Sequence, residues 1–243
     1  MDISLGILLA IAGAALIGSF IQRVTGFGFG VFVMTILPFL MPTYGEATAL
    51  SGLMAMVNAL WTTIRMWKHI DWKKSVALLL TFAVVSFFCI GALGHIDGHS
   101  ARKVLGVVLV LLSIYFFFLG GRVHIKPTVG SQLTTGVISA AMGGFCAIQG
   151  PAAVVYFVSC AKDKDEYMGL ISSYLLVTNI FMTCFRAGNG FVTLNVGAAW
   201  LCALPMIIVG NLLGTKLYNR LPGAVLRKVI YAYMAVAGVL AVL

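Results

Sequence analysis

The chain has 243 residues, of which 61% are hydrophobic and 9% charged, with a formal net charge of +9. Soluble domains carry about 25% charged residues, so this chain has too few polar groups to cover a water-facing surface, and a soluble globular fold is excluded. Its Lys and Arg fall in short connections between apolar runs rather than in an arm or stripe, which argues against nucleic acid and matches the basic loops of membrane proteins.

In chain order, apolar segments are predicted at 4–22, 29–41, 47–67, 74–94, 103–119, 129–146, 151–160, 167–187, 195–215 and 225–243. They are continuous and rich in Leu, Ala and Gly, whereas a membrane barrel needs alternating strands. The fold class is therefore an all-α polytopic membrane protein. The first segment is not a signal peptide, because it lacks a basic n-region, carries Asp2 and is too long. It runs into "RVTGFGFG" (23–30), where Arg23 and Thr25 precede glycine at every second position. The segment after those glycines would span about 20 Å as a helix, and 151–160 about 15 Å. Against a hydrocarbon core of about 30 Å, neither crosses alone.

The chain repeats itself. Ser51, Asn58, Thr62 and Arg65 recur 121 residues later as Ser172, Asn179, Thr183 and Arg186, and "RKVLGVVLV" (102–110) is echoed by "RKVIYAYMA" (227–235). Gly30 and Gly150 each precede a short apolar run, 120 residues apart. Such periodicity marks two related halves, 1–120 and 127–243, which together make one membrane domain. The loops 65–74, 121–127, 159–166 and 215–228 hold twelve basic residues against three in the alternate set. Placing the richer set in the cytoplasm gives inverted repeats with both termini periplasmic. Each half is then a broken or re-entrant helical hairpin followed by three transmembrane helices.

The glycines fall at the turns of those hairpins. Irregular backbone at membrane depth survives only inside protein or beside a watery cavity, and a short arm starting there points free N–H groups inward, a setting for an anion. Gly28 and Gly30 in the first half, and Gly150 beside the Gln149 amide in the second, are the predicted substrate-binding tips. Pro151 suits the first turn of the second short arm. Close packing of small residues is the competing reading, since Gly26/Gly30 and Gly210/Gly214 both form GxxxG.

Ser51, Asn58, Thr62 and Arg65 share one helical face, as do their repeats. Asn58 and Asn179 must find partners inside the bundle, either each other's helices or a ligand. Arg23, Arg65 and Arg186 are candidate anion-attracting groups, with snorkelling to the interface as the alternative for the latter two.

Absences narrow the function. There is no phosphate-binding G-x-x-x-x-G-K-[ST] loop. The acids and histidines fall at segment ends or in loops, and the five cysteines form no CxxC pair. Neither an enzyme's nucleophile–base pair nor a metal or cofactor site is expected. No buried carboxylate offers a seat for a coupled cation. A membrane potential, negative inside, favours anion exit by about 2.3 kcal/mol per charge per 100 mV, so export could run on that alone.

With these residues assembled, "GFGFGVFVMTILPFLMP" (26–42), "EATALSGLMAMVNALW" (46–61) and "GGFCAIQGPAAVVYF" (143–157) resemble the TauE/SafE family of bacterial membrane proteins. The resemblance covers nearly the whole chain, though this sequence alternates Gly with Phe where adjacent glycines are commoner. It implies transport of sulfur-containing anions, sulfite or organosulfonates such as sulfoacetate, across the inner membrane. The expectation is a secondary transporter or facilitator working by alternating access, with a small anion and the bilayer as partners. A channel with the same site is the alternative, an intramembrane enzyme a weaker one, and a homodimer is left open.

Overall fold

The computed structural model describes residues 4–118 and 125–218. Those residues form ten α-helices and no strand: α1 (Leu5–Thr25), α2 (Phe29–Val33), α3 (Leu37–Leu40), α4 (Tyr44–Met66), α5 (Val76–Leu93), α6 (Gly98–Phe118), α7 (Val129–Cys146), α8 (Gly150–Cys160), α9 (Lys164–Gly188) and α10 (Leu194–Tyr218). The expected segment 225–243, its echo of 102–110, and the basic residues Arg122, Arg220, Arg227 and Lys228 lie outside the described residues.

Among the described residues, six helices are long and apolar enough to cross a membrane: α1, α4, α5, α6, α9 and α10. Their sidedness is the reverse of a soluble bundle. Large apolar side chains such as Leu80, Val84, Phe88, Leu111, Leu201 and Leu212 face outward, whereas Ser19, Gln22, Arg23, Asn58, Asn179 and Asn211 are buried. An outer surface of this kind is stable only against lipid. The chain is a multi-pass membrane protein.

Helices α4 and α9 are the most buried spans and pack on each other through the centre. Around them, α1 lies along α10 and α5 along α7, while α10 also touches α4 and α5 touches α9. Exchanging each helix for its counterpart 121 residues away leaves this set of neighbours unchanged. Small residues permit the closest pair. A β-carbon on Gly210 would run into the Leu16 carbonyl, and one on Gly214 into Arg23 and the Phe20 carbonyl. This GxxxG is therefore a packing surface.

Local chemistry fixes where the central helices begin. Thr43 and Glu46 form a reciprocal capping box at α4, and the Asp163 carboxylate accepts the Asp165 and Glu166 N–H groups at α9. In both, the glutamate of the first turn also reaches across to the other half. Glu46 accepts the Thr193 hydroxyl at 2.6 Å, and Glu166 pairs with Lys74, whose ammonium also donates to the Cys160 carbonyl at 3.0 Å. These contacts define two ends of the bundle. The Lys74 pair and the bond from the Ile125 N–H to the Ser159 hydroxyl gather the connections 65–75, 125–128 and 159–166 at one end, which holds Lys68, Lys73, Lys74, Lys126, Lys162 and Lys164. The connections 41–46, 94–98 and 189–193 meet at the other.

Glu166→Gln removes a charge-assisted bond that joins the halves at the basic end. The expected result is a loss of about 1 kcal/mol, read as a lowered midpoint in thermal unfolding of the detergent-solubilised protein.

The short arm after the glycines differs from expectation. Residues 29–41 do not form one helix but two brief ones, α2 and α3, joined by a tight turn in which Thr35 N–H bonds the Phe32 carbonyl and Ile36 N–H the Val33 carbonyl. Pro38 has no N–H to give the Met34 carbonyl, which interrupts the ladder there. The second short arm, α8, is a continuous 11-residue helix.

Candidate functional site

Both hairpins turn in the same way. α1 stops at Gly26 (φ 85°), whose N–H caps the Gln22 carbonyl, and α7 stops at Ala147 (φ 56°), whose N–H caps the Gly143 carbonyl. The two stops are 121 residues apart, as are the restarts at Phe29 and Gly150, so the positional mate of Gly150 is Phe29 rather than Gly30. Gly28 is also left-handed (φ 102°), a conformation that a β-carbon would penalise. Ala147 carries that penalty without glycine's relief, a local strain of the kind concentrated at working sites.

Buried hydroxyls hold each break. Thr25 donates to the Ile21 carbonyl at 2.9 Å and also reaches the Phe27 carbonyl. In the second half Ser139 donates to the Gln149 carbonyl and pairs with the Tyr174 hydroxyl. The broken tips then touch. A β-carbon on Gly30 would lie 2.6 Å from the Ala147 carbonyl oxygen, and one on Gly150 would sit 3.6 Å from Phe27 Cβ.

Between the tips is a cavity of about 20 Å³, room for about one water molecule. Gln22, Gln149 and Asn179 supply its polar side chains, and Gly28, Gly30, Ala147, Gly150 and Pro151 its backbone walls. No side chain caps the start of α8, so the Gly150 and Ala152 N–H groups of its first turn have no intrahelical acceptor. The five-residue α2 contributes a weaker dipole than α8, because the end charge needs several aligned peptides.

Two larger openings flank this closed centre. A 530 Å³ vestibule at the less basic end is lined by Tyr44, Glu46, Arg102, Asn189 and Thr193, and a 330 Å³ crevice at the basic end by Thr25, Asp163, Lys164, Tyr167 and Met168. In the crevice, the backbone N–H groups of Glu166 and Asp165 hold the Asp163 carboxyl below its ordinary range.

The predicted residues divide clearly. Gly28, Gly30, Gln149, Gly150 and Asn179 line the cavity. Thr25 is one turn away, bracing the break. Arg23 is buried against α10 and donates to the Thr215 hydroxyl at 2.9 Å, so it does not face the cavity. Asn58 accepts a bond from Asn211. Arg65 is exposed and stacks on Trp61, 4.6 Å from the ring centre. Its repeat mate Arg186 is fully buried, with Nη2 donating to the Gly143 carbonyl at 2.9 Å.

The asymmetry of the two asparagines has a local cause. Asn58 meets Asn211 on α10, but the residue 121 positions before Asn211 is Ile90, which is buried and apolar. Asn179 has no such partner. Its amide nitrogen turns back to the Leu175 carbonyl at 2.7 Å, and its oxygen faces the Gly52 wall near Arg186. Gln22 is the polar cavity side chain that is not among the predicted residues. Its signal was a lone amide within an apolar segment, four residues before the first glycine.

The description "Sulfite exporter TauE/SafE" belongs to a family model that matches residues 10–241 of the chain. A relative, the "Probable sulfite/organosulfonate exporter TauE" of Cupriavidus necator, is 23% identical over 221 residues, covering 89% of this chain and 86% of its own. No solved structure gives a significant match.

Proposed function

The chain belongs to the TauE/SafE sulfite exporter family, a family of transporters rather than enzymes, and on that premise we propose that it exports a small sulfur oxyanion, sulfite or an organosulfonate such as sulfoacetate, across the bacterial inner membrane. The observation that carries this reading is the small, buried cavity where the two broken hairpins meet. The Gly150 amide at the uncapped start of α8 offers its N–H group to the anionic head, and Asn179, Gln149 and Gln22 add amide groups. Arg186, one wall away, raises the potential there. The name of the Cupriavidus relative supports the same substrate class.

The cycle is alternating access. The cavity holds about one water, less than any oxyanion of four or more heavy atoms, so the site opens to admit substrate. The vestibule and the crevice on either side are its two approaches. Opening one requires the Glu46–Thr193 contact to part, opening the other the Lys74–Glu166 pair, and each contact joins one half to the other. Rocking the halves as rigid units therefore exposes the centre to one side at a time. The exchange of neighbours between the halves supports the inverted-repeat reading, and the lysine-rich end is assigned to the cytoplasm. That orientation puts the start of α1 and the vestibule on the periplasmic side.

Counterflow in proteoliposomes tests the carrier reading. Preloaded unlabelled sulfoacetate should drive transient accumulation of labelled sulfoacetate, with saturation. Ohmic anion current without counterflow would assign the same site to a channel. A second measurement reads the alternation. In a cysteine-free background, Asn189→Cys in the vestibule and Ala161→Cys in the crevice should change labelling by an impermeant maleimide in opposite directions when substrate is added. Parallel changes would count against alternating access.

A further inference from the structure

Arg186 is fully buried in α9, and its Nε and Nη1 have no hydrogen-bond partner. Among the described residues no carboxylate pairs with it, and the ionisable groups in electrostatic reach are the Tyr44 phenol and the Cys146 thiol, both neutral at physiological pH. An uncompensated guanidinium inside a bilayer-embedded bundle is strongly unfavourable, and natural proteins resolve it by pairing. Two buried hydroxyls lie nearby: that of Thr183, which has no partner, and that of Tyr44, whose one neighbour in hydrogen-bonding reach is the weak Cys146 thiol. Tyr44 lines the vestibule. The point where a Gly52 β-carbon would sit is 3.0 Å from Arg186 Nη1, 3.6 Å from Thr183 Oγ1 and 3.7 Å from the cavity-lining Asn179 Oδ1. A cation with two idle donors, with the idle Thr183 hydroxyl and the Tyr44 hydroxyl beside it, is the donor set of a small-anion site.

The second half alone has this arrangement. The residue 121 positions after Gly52 is Ser173, whose hydroxyl is spent on the Leu170 carbonyl. The arginine on that side, Arg65, lies outside on Trp61. The bare Gly52 leaves the Arg186 guanidinium open toward Asn179 and the tip cavity.

We propose that Arg186, with the Thr183 and Tyr44 hydroxyls, holds a small monovalent inorganic anion of halide size when substrate is absent, and that this anion competes with the transported sulfonate. The competition rests on the sulfonate reading of the tip cavity; the halide station does not. Arg186 Nη1 and Asn179 Oδ1 lie within about 7 Å of each other, and two unit negative charges at that spacing repel enough to weaken one another's binding on the order of tenfold.

The test uses the purified full-length protein in nanodiscs, with gluconate replaced stepwise by chloride at constant ionic strength. Chloride is expected to raise the thermal midpoint of the wild type and to weaken sulfoacetate binding on the order of tenfold, and Arg186→Gln to remove both effects. A wild type that binds sulfoacetate but ignores chloride, or an Arg186→Gln protein with an unchanged chloride response, overturns the station. Stabilisation by chloride with no binding of sulfite or sulfoacetate would instead overturn the sulfonate reading and leave the station standing. Should Arg186→Gln fail to fold, Arg186→Lys keeps the charge but loses the planar fork of donors. An unchanged chloride response in that variant equally overturns the proposal.

Discussion

Gly30→Ala is expected to abolish transport and to destabilise the protein by about 1–3 kcal/mol, the usual cost of forcing volume into a packed interior. The added methyl would lie 2.6 Å from the Ala147 carbonyl oxygen. Neither side can yield cheaply, because both are backbone at the tip of a broken hairpin. Ala147 already sits in a left-handed conformation held by its bond to the Gly143 carbonyl. Separating the tips would also pull the first turn of α8, and Gln149 with it, away from the Gln22 amide of α1. Gly13→Ala in α1 is the control, since its β-carbon would meet nothing within 4 Å. Thermal unfolding in detergent and sulfoacetate flux in proteoliposomes read the two effects separately. Wild-type flux in Gly30→Ala would mean that the tips do not form the site.

Asn179→Ala and Asn58→Ala occupy equivalent places in the repeat but should fail in different ways. Removing Asn179 takes away an amide of the cavity wall that has no partner helix. If it serves an anion, the cost is about 1.5–3 kcal/mol, or roughly 10- to 100-fold weaker sulfoacetate binding, with the fold intact. Removing Asn58 breaks its bond with Asn211. That costs about 0.6–2 kcal/mol of stability, as for hydrogen bonds between membrane helices, and leaves binding affinity near the wild-type value. Equal phenotypes in the two variants would contradict the asymmetric assignment. Isothermal titration with sulfoacetate, alongside unfolding midpoints, separates them.

Much of the architecture was legible because membrane helices advertise themselves by composition. With 61% hydrophobic residues in continuous runs, backbone satisfaction in lipid leaves only helices, whereas the caps at Thr43–Glu46 and Asp163, which start α4 at Tyr44 and α9 at Lys164 ahead of the expected 47 and 167, were not read. The glycine-bearing breaks were also readable, since Gly26 and Gly28 do adopt the positive φ that only glycine takes without strain. The split of 29–41 into α2 and α3 was not read, although Pro38 carried the signal.

The candidate site was legible in part. Its backbone members, Gly28, Gly30 and Gly150, and the amides of Gln149 and Asn179 were found because a polar or helix-weakening residue in an apolar run needs a reason. Residue identity at matching positions of a repeat was the weaker guide. Asn58 and Asn179, or Arg65 and Arg186, are equivalent in sequence yet meet different neighbours, Asn211 against Ile90 and Trp61 against the Gly143 carbonyl. Those neighbours come from helices distant in the chain. The sequence by itself determined that the chain lives in a membrane, is helical and carries two copies of one pattern, because those properties are set residue by residue through transfer energies and local backbone preference. Only the tertiary structure decided which polar groups of each copy face the cavity and which pair with a helix, because a side chain's partner is chosen by packing across the bundle, where the two copies are not the same.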